Sequence, residues 1–178
     1  MKITIFGLAG TGTSTVGKIL AEHIGYKSLS TGDIFFRKKA KELGVTLSEL
    51  HERAKIDPSI DRECDKEMER LGKVENDFVV ESRLAWFFIP DSIKIKLDCD
   101  FEIRTKRLAE RDGLSFDDAK KHIIEREKVD GDRYKKYYNI SDTNADGHFN
   151  LTIDTTNIPA DMVVKKIETF IATRNIKN

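Results

Sequence analysis

The segment Gly7-Leu8-Ala9-Gly10-Thr11-Gly12-Thr13-Ser14-Thr15 sets three glycines among small and hydroxyl-bearing residues. Between a strand and a helix, such a segment lets successive backbone N–H groups curl around a phosphate at the positive end of the helix. Residues 9 to 15 would supply those amides, and Gly7, Ala9, Gly10, Thr11, Gly12, Thr13, Ser14 and Thr15 are the candidate phosphate-binding residues. Ser14 would be the hydroxyl on the Mg²⁺ side. The spacing is that of a P-loop with one departure: Thr13 stands where a lysine is expected. Lys18 lies more than a helical turn downstream and is a poor stand-in, so positive charge must come from elsewhere. The bland alternative is a glycine-rich turn with no ligand.

Three later clusters bear on where that charge comes from. Ser30-Thr31-Gly32-Asp33-Ile34-Phe35 puts small hydroxyl groups and a helix start where a second ligand could bind, although an ordinary helix cap reads the same way. Glu81-Ser82-Arg83 ends an apolar strand. A carboxylate and an arginine at the carboxyl edge of a parallel sheet sit where such sheets bind ligands, and Glu81 could order the waters of Mg²⁺. A surface ion pair is the alternative. Arg126, Asp130 and Arg133 recur at offsets of four and seven, so one helical face carries all three, with Asp130 between two guanidiniums that could close over phosphates. The plain reading is a solvated salt-bridge ladder. Arg104, Arg107 and Arg111 form a second stripe, for which that plain reading is favoured at Arg111. The four histidines lack ligand spacing, and no Asn-Lys-x-Asp guanine-reading motif occurs.

The elements that must position these groups alternate in kind. Ile3–Phe6, Tyr26–Leu29, Asp77–Glu81, Ser92–Leu97 and Phe149–Ile153 read as five short strands. Helices are expected over Thr13–Ile24, from Ser30 to Gly44, twice within 46–72, over 101–112, over 116–138 and from Pro159 to Thr173. Thr46 with Glu49 has the capping-box pattern, and Asp57 before Pro58 starts the next helix. Lys94 and Lys96 alternate with Ile93, Ile95 and Leu97, which suggests a strand face less covered by helix. The polar stretch Asn139–Gly147 reads as a mobile loop. Strands separated by helices predict an α/β fold: a P-loop NTPase-type parallel five-stranded sheet with helices on both faces.

Composition narrows the function. The 178 residues suit one domain, and 31 Lys+Arg against 31 Asp+Glu leave no basic excess for holding nucleic acid or an anionic membrane. The apolar run Leu84–Pro90 is too short to span a bilayer. Cys64 and Cys99 are too few for a disulfide framework, and with no signal-peptide pattern a cytoplasmic protein is expected.

With these pieces in order, the chain resembles the nucleoside monophosphate kinases, most closely the archaeal-type cytidylate kinases. The shared motifs are Gly7 to Thr15 with threonine at the lysine position, Gly-Asp-Ile-Phe at Gly32 to Phe35, Glu-x-Arg-Leu at Glu81 to Leu84, and Arg-x-x-x-Asp-x-x-Arg at Arg126, Asp130 and Arg133. The resemblance implies a single domain over 1–178, with a helical acceptor-binding region at 31–76 and a lid at 113–147. It implies transfer of the ATP γ-phosphoryl group to CMP, and to dCMP, with Mg²⁺. Arg126, Asp130 and Arg133 would be catalytic, Ser14 and Glu81 would lie at the metal, and Thr31, Gly32, Asp33, Arg37 and Arg83 would bind the acceptor. A monomer is expected, with no nucleic-acid or membrane partner. Two positions depart from the family pattern. Phe36 intervenes before Arg37, turning that arginine by about 100° and weakening it as an acceptor ligand, and Ser82 stands where glycine is usual. Two alternatives remain: a kinase for AMP, UMP or a small metabolite, and a nucleotide-binding regulator without turnover.

Overall fold

In the computed structural model the described residues are 1–175; the last three of the 1–178 span lie outside them. Strands β1 (Lys2–Gly7), β2 (Lys27–Ser30), β3 (Phe78–Glu81), β4 (Ile93–Asp98) and β5 (Leu151–Asp154) form one parallel sheet in the order β2-β3-β1-β4-β5. β1 is central because its residues are apolar on both faces. Ile3 and Ile5 enter a core shared with Val16 and Leu20 of α1 (Thr13–Ile24) and with Val163, Val164 and Ile167 of α8 (Ala160–Asn175). Thr4 and Phe6 face the opposite way. Thr4 bonds the Ser92 hydroxyl at 2.9 Å, and the Phe6 ring meets Phe149 at 5.1 Å. Successive strands leave β1 to either side, which opens a crevice at the carboxyl ends of β1, β3 and β4.

The other helices hang from this frame. α2 (Arg37–Leu43), α3 (Leu47–Ile56) and α4 (Pro58–Val74) make the insertion after β2. Its own small core holds Phe35, Phe36, Ala40, Leu50, Ile60 and Cys64. Thr46 and Glu49 form the reciprocal capping box, and Asp57 accepts from the Ser59 N–H at 2.9 Å. α5 (Ala85–Phe88), α6 (Phe101–Asp112) and α7 (Phe116–Tyr138) complete the set, with α6 and α7 packed as a hairpin beside the glycine-rich turn after β1.

Several sequence expectations shift. The helix foreseen from residue 30 begins instead with a π-helical turn, Gly32–Phe36, before α2. The apolar run at Leu84–Pro90, given no element by periodicity, contains the short helix α5, whose Trp86 lies against His148 and Phe149. β5 starts at Leu151 because Phe149 is drawn into that aromatic cluster. The alternation on β4 does not mark an exposed face. β4 lies between β1 and β5, and Lys96 is 3 % exposed, donating to the Asn144 carbonyl and pairing with Asp98 at 3.1 Å. The 139–147 stretch covers it, so a buried charge with partners takes the place of an edge.

Candidate active site

β1 ends at Gly7 and α1 begins at Thr13, so the turn between them rises at the centre of the crevice. Gly10 and Gly12 have φ values of +85° and +93°, the left-handed region that glycine enters without steric cost. At Gly10 a Cβ would also stand 2.5 Å from the Arg104 carbonyl oxygen, so α6 packs directly on the turn. α1 has Gly12 at its N-cap and no capping side chain, which leaves its first amides to a ligand.

The turn's carbonyls are held from outside. Arg104 Nη1 donates to Ala9 O at 3.2 Å, Arg107 Nη1 to Gly10 O at 3.4 Å, and Thr155 Oγ1 to Thr11 O at 2.9 Å. In a planar trans peptide the N–H points opposite to the C=O. The outward carbonyls of Ala9 and Thr11 therefore turn the Gly10 and Gly12 N–H groups toward the crevice. The Thr11 N–H is spent inside the turn on Leu8 O at 3.2 Å. Arg107 also binds Thr155 O at 2.8 Å, which clamps the segment after β5 against the turn.

The crevice opens into a cleft of about 660 Å³. Gly7 and Ala9 to Thr15 form its floor, with Thr31, Gly32, Glu81, Arg83 and Arg126 around it. Ser14 Oγ donates to Glu81 Oε2 at 2.5 Å, because the β1–β3 register sets Ile5 beside Glu81. Arg107 and Arg111 line the cleft as well. Arg111 keeps the solvated ion pair expected of it, exposed at the cleft's edge with its guanidinium on Asp112 at 2.7 and 2.9 Å. Arg107 and Thr155 carry no motif of their own, and only the sheet order brings them to the turn.

On α7, Asp130 lies between Arg83 and Arg126: Arg83 Nη1 donates to its Oδ2 at 2.5 Å, and Arg126 Nε stands 4.0 Å away. Arg133 instead pairs with Asp61 of α4 at 2.5 Å, with its guanidinium 4.8 Å over the Tyr134 ring. Its buried Nε has no partner among the described residues. Burial pushes the neighbouring Tyr134 hydroxyl up to about 12, with Asp130 adding to the rise. Asp33 caps the approach from β2, accepting from Ser30 N at 3.1 Å and Ser30 Oγ at 2.5 Å, and it pairs with Arg37. The π-helical turn adds a residue between Gly32 and Arg37, whose N–H reaches Gly32 O across five positions. The wider turn takes up Phe36, and Arg37 Nη1 stands 3.9 Å from where a Cβ on Gly32 would lie. Asp33, Arg37, Asp130 and Arg133 lie outside the cleft lining.

Comparison with known proteins adds independent findings. The model of the cytidylate kinase-like family matches residues 2–157. The cytidylate kinase of Methanococcoides burtonii is 40 % identical over 172 residues, covering 94 % of this chain and 97 % of that protein. That of Sulfurisphaera tokodaii is 36 % identical over 180 residues, covering 100 % and 99 %. Among solved structures, an uncharacterized protein from Eubacterium ventriosum superposes with a TM-score of 0.75 at 19 % identity, covering 97 % of this chain and 98 % of that one. Shikimate kinase from Acinetobacter baumannii gives 0.65 at 19 %, covering 97 % and 93 %. At such identities these structures establish the fold alone.

Proposed function

The chain belongs to the cytidylate kinase-like family, and from that premise we propose that it transfers the γ-phosphoryl group of ATP to CMP, and to dCMP, giving ADP and the pyrimidine nucleoside diphosphate. One observation supports this reading most: Arg83 and Arg126, which flank Asp130 behind them, both line a cleft whose floor is the glycine-rich turn. Two polyanions can meet there, each facing fixed positive charge.

The donor phosphates lie on the amides of residues 9 to 15, the Thr11 N–H excepted because it bonds Leu8 O. The donor base is placed against Arg107, Ile158 and Pro159, which line the far wall. The acceptor phosphate is assigned to Arg83, beside Thr31 and Gly32, and Arg37 is a second acceptor ligand once it leaves Asp33. An acceptor phosphate oxygen attacks the γ-phosphorus, the bond to the β–γ bridging oxygen breaks, and its electron pair leaves with ADP. The nucleophile is already anionic, so no general base is required. What the protein supplies is alignment and neutralisation of charge, with Arg126 and Arg133 as the cationic groups that Thr13 lacks. Closure of the lid keeps water from the γ-phosphorus.

Ser14 and Glu81 suit Mg²⁺. They are hard oxygen donors 2.5 Å apart, and this ion retains several waters and takes the rest of its shell from phosphate oxygens. Held there, the ion would offset the charge of the donor phosphates.

The test is coupled ADP release with CMP, dCMP, UMP and AMP as acceptors. The highest kcat/KM is expected with CMP, and dCMP next. A higher value with AMP or UMP would reassign the acceptor. ATP binding by calorimetry with no transfer to any nucleotide would make the chain a regulator.

A further inference from the structure

Arg104 is 6 % exposed, and its Nη1 holds two groups from different parts of the site: the Ala9 carbonyl at 3.2 Å and Glu127 Oε1 at 2.7 Å. Its guanidinium also lies 5.4 Å over the Phe101 ring. A guanidinium this deeply buried needs a compensating charge, and Glu127 supplies it from the lid helix. Glu127 directly follows Arg126, whose side chain is 54 % exposed and stands 4.0 Å from Asp130. The backbone at 126–127 is thus tied to the phosphate turn through one buried ion pair.

We propose that Arg104 and Glu127 are a positioning pair that joins the phosphate turn to the lid. Arg104 fixes the Ala9–Gly10 peptide with its N–H toward the donor phosphates, and Glu127, anchored on the same guanidinium, sets where Arg126 enters the cleft. Neither residue lines the cleft, so neither touches substrate. Any shift of the turn on donor binding moves Arg104 and, through it, the start of the arginine-bearing face of α7. The coupling is reciprocal, so a seated lid also favours the phosphate-binding form of the turn. This inference rests on the kinase reading for its rate prediction, while its loop half stands on ADP affinity alone.

The experiment compares Glu127→Leu, Glu127→Gln and Arg104→Met with the wild-type chain, and uses the exposed Glu125→Gln as control. Glu127→Leu is expected to lower kcat on the order of tenfold with KM for CMP within about twofold, because Arg126 acts on the group in transfer. Glu127→Gln still accepts a hydrogen bond from Arg104 and should recover most of that loss. Arg104→Met should weaken ADP binding by about tenfold in calorimetry, since the Gly10 peptide is free to turn. Wild-type kcat per folded molecule in Glu127→Leu, with only its melting temperature lowered, would reduce the pair to a structural tie and overturn the proposal. Should Glu127→Leu fail to fold, Glu127→Asp keeps the charge and withdraws its reach; an unchanged kcat there overturns it equally. If the wild-type chain transfers phosphate to no acceptor, the kinase reading has failed instead. ADP affinity in Arg104→Met then decides the loop half by itself.

Discussion

Asp61 of α4 holds Arg133 of α7 at 2.5 Å, with the two side chains only 22 % and 23 % exposed. The pair ties α4, in the insertion after β2, to α7. Under the proposed function Arg133 acts on phosphates, and an incoming phosphate would then have to displace the Asp61 carboxylate, a group of similar shape.

Arg133→Ala is therefore expected to lower kcat by about 10² while leaving the chain folded. Asp61→Asn should keep kcat and lower KM for CMP, because the competing carboxylate is gone. Steady-state kinetics of both variants and of the double variant check this. If Asp61→Asn/Arg133→Ala regains the wild-type rate, Arg133 serves only to neutralise Asp61 and has no part in the transfer.

The Ser14–Glu81 contact at 2.5 Å makes a second prediction. Glu81→Gln removes a charge facing the metal position, and the Mg²⁺ concentration for half-maximal rate should rise by about tenfold. Ser14→Ala should act in the same direction. A magnesium titration of CMP phosphorylation reads both, and a midpoint unchanged in Glu81→Gln would remove that carboxylate from the metal's surroundings.

What the sequence discloses here is what local chain geometry decides. Gly10 and Gly12 need left-handed backbone, Thr46 and Glu49 cap each other, and Arg126 and Asp130 lie four apart on one helix, so motif and spacing suffice for them. Arg107 and Thr155 escape because their partner is a backbone turn more than ninety residues away, reached only through the strand order β1-β4-β5. Arg104 escapes for the same reason, and Glu127 because it meets Arg104 only where α7 folds back on α6. Arg133 has the spacing of the lid motif but answers to Asp61, a tertiary partner that no periodicity on α7 reveals. The π-helical turn at Gly32–Phe36 reverses the sequence argument about Arg37: an extra residue rotates a side chain only if the helix keeps its ordinary pitch.

Deletion of Phe36 tests that last point. The turn can then close with ordinary i to i+4 bonds, leaving arginine on the same side of Gly32. The buried Phe36 ring is lost from the cluster of Phe35, Ala40, Leu50 and Ile60, so the melting temperature should fall. KM for CMP is nevertheless expected to change by less than about threefold, whereas Arg37→Ala should raise it by about tenfold. A deletion variant that is folded yet has the KM of Arg37→Ala would show that the wide turn does not restore the register.

Asp65 supplies a pH prediction. Burial holds its carboxyl above the ordinary aspartate range, against the Tyr138 hydroxyl and the Arg133 guanidinium, which pull it down, while Asp61 adds to the rise. The folded chain therefore keeps a proton that the unfolded chain releases near the ordinary value of about 3.9. The stability contributed at Asp65 is complete below that value and is lost as pH rises through the folded one. Asp57, Asp77, Asp91, Asp112 and Asp154 are shifted downward and act in the opposite sense, losing their contribution as pH falls. The difference between wild type and Asp65→Asn isolates the one group. The variant still offers an oxygen to Tyr138 and carries no charge, so its melting temperature should match wild type in acid and exceed it increasingly as pH climbs from about 4. A gap that stays constant across that range would mean that Asp65 ionises in the fold as freely as it does in the unfolded chain.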